Sequence, residues 1–147
     1  MADNATLARS LYEAWNERNF DLQADAMAPD ATVVVVGSGD RFEGPDGARR
    51  YNAAWADAFP DGIITMDNIV ASGDTVIAEF TGRGTHTGTL ETSMGAIPAT
   101  GRSVTLKLCD VIEFKNGKVQ QQRTYFDTGS LMAQLGITAE QSAAVNQ

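Results

Sequence analysis

The sequence predicts an α+β fold, a curved and mostly antiparallel sheet with helices packed on one face. Three observations predict it. Apolar residues recur at helical spacing in the part of the chain before Pro60. From Gly62 onward the chain alternates with period two in four long segments. Tight-turn signals, Ser72-Gly73-Asp74 and Asn116-Gly117, join those segments in pairs.

Each element follows in order. Leu7, Leu11, Tyr12, Ala14 and Trp15 give an amphipathic helix from about Ala5 to Glu17. A second, short helix is read from Leu22 to Met27 and stops at Pro29-Asp30. Ala31 to Val36 is a β-branched strand. A short extended piece at Arg41-Phe42-Glu43 leads into Gly44-Pro45-Asp46, a helix start with proline in the first turn and an acid at the positive end of the dipole. The third helix carries Ala48, Tyr51, Trp55 and Phe59 on one side. Strands are then read from Gly62 to Ala71, Thr75 to Thr87, Arg102 to Lys115 and Lys118 to Asp127, with a loop from Leu90 to Gly101. A last apolar helix covers Ser130 to Gly136. No repeat or linker divides the chain, so residues 1–147 read as one domain with a core of about 5–136 and a tail at 137–147.

Composition narrows the function. A net charge of −8 disfavours nucleic acid and anionic membranes as partners. Arg49-Arg50 is the one adjacent basic pair. No apolar run approaches the roughly 20 residues of a membrane span. The N-terminus lacks the basic-then-apolar pattern of a secretory signal, and the single cysteine, Cys109, forms no internal disulfide; both fit a cytoplasmic protein. Phosphate loops, dinucleotide loops and nucleophile elbows are missing from the sequence.

Polar groups stand out on otherwise apolar strand faces. Val76, Ala78, Phe80, Gly82, Gly84 and His86 share one face. Val104, Leu106, Leu108, Asp110, Ile112 and Phe114 share another. In the last strand strict alternation puts Val119, Gln121, Arg123, Tyr125 and Asp127 together. A buried carboxylate must pair, hydrate or shift its pKa, so Asp110, Asp127, His86 and Arg123 are the candidate catalytic groups. Structural roles fit the same pattern. Asp127 suits a cap for the following helix. Asp110 suits an ion pair with Lys107 or Arg102. His86 is the only histidine, which excludes a His-rich metal site.

A set of short motifs in fixed order resembles the SnoaL-like polyketide cyclase family. They are Ala58-Phe59-Pro60-Asp61, Ala71-Ser72-Gly73-Asp74, Gly84-Thr85-His86-Thr87-Gly88, Ile97-Pro98-Ala99-Thr100-Gly101-Arg102, Asn116-Gly117-Lys118-Val119 and the stretch from Asp127 to Gly136. The resemblance implies the cone-shaped fold shared with nuclear transport factor two and ketosteroid isomerase, in which three helices and a bent sheet enclose an apolar pocket. It implies intramolecular aldol cyclisation without metal or cofactor, with an acid/base Asp near the end of the last long strand, where Asp127 falls. It also implies a homodimer across the open sheet face. Ketosteroid isomerases carry a proton-shuttling Asp in the first strand; a valine of the run Val33 to Val36 stands there, which disfavours steroid isomerisation. Family members often have a Trp in the last strand, where this chain has Gln121-Gln122-Arg123.

The reading that results is an enzyme with no cofactor, acting on a small apolar carbonyl substrate. Trp15, Tyr51, Trp55, Phe80, Leu108 and Tyr125 would line its pocket. Asp127 would be the general base, with His86 or Arg123 stabilising the enolate. Two rivals remain: water activation on an epoxide by Asp110, Arg123 and Asp127, and a non-catalytic ligand-binding module.

Overall fold

The computed structural model describes residues 3–92 and 95–137. Helix α1 (Asn4–Asn16) begins where Asp3 accepts a hydrogen bond from the Thr6 backbone N–H, an N-cap. Leu11, Tyr12, Ala14 and Trp15 of the predicted stripe are buried, together with Ala8, while Leu7 is half-buried. Helix α2 (Phe20–Asp25) starts two residues before the expected Leu22, because the Asn19 side chain caps it through the Leu22 N–H. Strand β1 (Met27–Val35) also begins earlier than expected. Pro29 lies in a break of its pairing between Met27 and Thr32, so its missing N–H interrupts no ladder.

Strand β2 (Asp40–Glu43) pairs antiparallel with β1 and leads into α3 (Gly44–Ala58), whose Pro45 occupies the first turn as predicted. Four long strands follow: β3 (Ile63–Ser72), β4 (Thr75–Thr85), β7 (Ser103–Lys115) and β8 (Lys118–Phe126). The expected loop between β4 and β7 contains two short strands, β5 (Leu90–Thr92) and β6 (Gly95–Ile97), paired with each other. Asn116 and Gly117 both take positive φ, the conformation a two-residue hairpin turn demands. Helix α4 (Thr128–Gln134) closes the described chain.

The main sheet has the order β2-β1-β8-β7-β4-β3. All its pairings are antiparallel except β1 with β8, so the sheet is mixed where the sequence suggested a meander. The sheet is curved, and the cone-shaped α+β fold predicted for it is the one observed. Helices α1 and α3 cover its concave face. There Ala8, Leu11, Tyr12, Ala48 and Tyr51 pack on Val33, Ala78, Phe80, Ile112 and Val119. A second apolar cluster joins Phe59, Leu90, Ile97, Val104 and Leu106 to Leu131 of α4 and to Leu135, which follows it.

One irregularity in β8 decides which side chains face the cone. Glu113 pairs with Gln121, but the next residue, Phe114, pairs with Val119. Gln120 is therefore an extra residue, a β-bulge, and it reverses the alternation beyond it. Val119 points inward, and so do Gln122, Thr124 and Phe126. Gln121, Arg123 and Tyr125 point out. The single row expected from Val119 to Asp127 does not exist.

Candidate active site

Between the helices and the inner sheet face lies a cavity of about 900 Å³, including its mouth. Trp15, Tyr51, Trp55, Phe80 and Leu108, five of the six residues expected in a pocket, line it. Tyr12 and Phe80 pack with ring centroids 4.9 Å apart, and Trp55 meets Phe126 edge-on at 5.6 Å. Tyr125 is absent from the lining. It is 41% exposed on the outer face, a consequence of the bulge at Gln120.

Asp110 is the one carboxylate among the described residues that lines this cavity. It sits mid-sheet, flanked in register by Ala78 of β4 and Thr124 of β8. Only 2% of it is exposed. The expected ion pair with Lys107 or Arg102 is not formed. Lys107 projects from the opposite face, where its ammonium donates to Thr81 and lies 3.6 Å from Asp67. Asp110 is instead held by neutral donors. The Tyr12 hydroxyl donates to Oδ2 at 2.6 Å, and Gln122 Nε2 donates a longer bond of 3.4 Å to the same oxygen. Oδ1 is buried without a hydrogen-bond partner.

The electrostatics follow from that environment. Burial raises the Asp110 pKa to about 6, and the hydroxyls of Tyr12 and Thr124 pull in the opposite direction without cancelling it. Burial and the Asp110 charge push the Tyr12 phenol well above its ordinary value, so it stays a donor. A carboxyl that titrates near neutrality inside an apolar cavity is suited to give and take a proton.

The other candidates fall elsewhere. Asp127 is exposed at the start of α4 and accepts the Ser130 backbone N–H at 3.0 Å, so the structure gives it the helix-cap position. Arg123 lies on the outer face, donating to Glu113 at 2.5 Å and to Gln121. Asp110, Arg123 and Asp127 are thus not brought together, and the set needed for epoxide opening is not assembled.

His86 is fully buried, but it does not line the cavity. Its Nδ1 accepts from the Thr100 backbone N–H at 3.2 Å and contacts the Thr100 hydroxyl at 2.9 Å, which leaves the proton on Nε2. Burial lowers its pKa, which keeps the ring neutral. Its ring packs against Phe59, 5.4 Å between centroids. The glycines on either side also serve docking on the end of α3. A Cβ on Gly88 would come 1.9 Å from the Asp57 carbonyl oxygen, and one on Gly84 would come 3.0 Å from Phe59. The Gly-Thr-His-Thr-Gly stretch therefore fastens β4 to the helix.

A family model described as SnoaL-like polyketide cyclase matches residues 5–135. The chain belongs to that family. Among solved structures, this SnoaL-like protein is similar to TsrD from Streptomyces laurentii, with 26% identity and a TM-score of 0.78 over 94% of this chain and 100% of that one. It is similar to IdmH from Streptomyces antibioticus, a proposed polyketide cyclase, with 26% identity and a TM-score of 0.75 over 92% and 100%. A SnoaL-like protein from Jannaschia sp. CCS1 shares the fold at 18% identity, TM-score 0.77, over 94% and 97%. No curated protein matches the chain significantly.

The sequence pattern does not single out Tyr12 or Gln122, both of which donate to Asp110. Tyr12 was legible only as one residue of a helical stripe. Gln122 was hidden by the bulge, which turned its side chain inward. Among the described residues no helix is long and apolar enough to cross a membrane.

Proposed function

We propose that the protein is a cofactor-independent, cyclase-type acid/base enzyme in which Asp110 is the proton-transferring group. The observation that carries this reading is Asp110, the one cavity carboxyl among the described residues, buried, with one oxygen unpaired and a pKa raised to about 6. The substrate is an apolar carbonyl compound with an acidic C–H, in keeping with the aromatic lining. Ionised Asp110 removes the proton α to a carbonyl. The resulting enolate attacks a second carbonyl of the same molecule, forming a C–C bond, and the new alkoxide takes the proton back from Asp110. Nothing is gained or lost overall, so the step needs no oxidant or cofactor. Proton transfer by one positioned group contributes roughly 10²–10⁴-fold. Tyr12 holds the carboxyl and keeps a neutral donor beside the site of charge development.

The test uses 2-tetralone, a small bicyclic ketone, in D₂O. The reading predicts protein-catalysed deuterium exchange α to the carbonyl, with a rate that rises with pH through about 6. Absence of exchange above buffer, or a rate independent of pH between about 4 and 8, would overturn it.

A further inference from the structure

Gln23, on α2, is another polar side chain that lines the cavity. It is only 6% exposed. Its Nε2 donates to the Leu11 carbonyl at 2.9 Å. That bond fixes the amide, since the flipped orientation would set two oxygens against each other. Oε1 is consequently the free end, and among the described residues no donor reaches it.

The position of this acceptor is set by the same turn of α1 that sets the catalytic group. Leu11 ties Gln23, and the next residue, Tyr12, ties Asp110. Both groups line the cavity together with Met27 and Ile112, which are almost wholly buried. Among the residues that line the cavity, two side-chain oxygens, Gln23 Oε1 and Asp110 Oδ1, are buried without a hydrogen-bond partner. A buried carbonyl oxygen gains most from a ligand that brings a donor, and it discriminates against one that does not.

We infer that Gln23 is a specificity-determining residue. Its Oε1 accepts a hydrogen bond from a hydroxyl on the buried end of the substrate, which makes that substrate a phenol or enol rather than a bare hydrocarbon or ether. This rests on the reading of the cavity as the substrate site, and it adds to Asp110, which moves the proton, a residue that selects what is presented to it.

The probes are 2-naphthol, naphthalene and 2-methoxynaphthalene, with binding measured by titration calorimetry. The wild type should bind 2-naphthol about tenfold more tightly than either analogue. Gln23→Met should bind all three about equally, while Asp110→Asn should keep the preference for the naphthol. A preference that survives in Gln23→Met overturns the inference. So does a preference lost in Asp110→Asn alone, which would send the hydroxyl to Asp110. If Gln23→Met does not fold, the wild type still decides by NMR. The Gln23 side-chain amide should shift with 2-naphthol and not with 2-methoxynaphthalene, and equal shifts overturn the inference. Exchange of 2-tetralone separates this failure from that of the wider reading. Exchange without a naphthol preference sinks the role of Gln23 alone, whereas neither exchange nor binding sinks both.

Discussion

Replacing Asp110 by Asn should make the protein more stable at neutral pH and leave it little changed in acid. The carboxyl titrates at about 6 in the folded state and near the ordinary 3.8 when unfolded. Between these values the folded protein binds more protons than the unfolded chain, so stability falls as pH rises from about 4 to about 6 and stays low above that. The gap between 3.8 and about 6 corresponds to roughly 3 kcal/mol, at about 1.4 kcal/mol per pH unit. Asn keeps the shape and can still accept from Tyr12, but it carries no charge to desolvate. The assay is urea unfolding of wild type and variant at intervals from pH 4 to pH 8. Carboxylates whose folded pKa is lowered, such as Asp61 and Asp67, titrate in both proteins and cancel in the difference. The difference in unfolding free energy should rise in favour of Asn through pH 4–6 and then level off. A flat difference, or one that favours the wild type as pH increases, would refute the reasoning that burial dominates at this site.

Three further outcomes follow from the same geometry. Tyr12→Phe removes the 2.6 Å donor to the ionised form, so the acid limb of the exchange reaction should move to higher pH by roughly one unit. Asp127→Ala removes an exposed helix cap and should cost about 1 kcal/mol in urea unfolding, with no change in exchange rate. The outer sheet face exposes Ile77 and Val70, paired neighbours on β4 and β3; light scattering should show a dimer in the wild type and a monomer for Ile77→Glu.

The fold was legible because its signals were local. Helical stripes, the Pro45 start and the Asn116-Gly117 turn each depend on a few adjacent residues, and each appears where the pattern put it. The aromatic cavity lining was legible for the same reason. The reacting group was ambiguous because it depends on parity and on distant partners. One extra residue at Gln120 turned Arg123 and Tyr125 outward and Gln122 inward, and no local feature of that stretch marks a bulge. Asp110 was visible on an apolar row, but the partner that distinguishes a poised carboxyl from an ion pair is Tyr12, 98 residues away. Asp127 fitted two roles by sequence. Its exposure and its bond to Ser130 are properties of where the helix begins, which only the assembled chain displays.

The central claim is that the proton is moved by Asp110. It is tested most directly by measuring deuterium exchange into 2-tetralone for Asp110→Asn beside Asp127→Asn, a change that keeps the helix cap. The account predicts a loss of roughly 10²–10⁴-fold for Asp110→Asn and wild-type exchange for Asp127→Asn. Exchange that survives the first substitution and disappears with the second would contradict it.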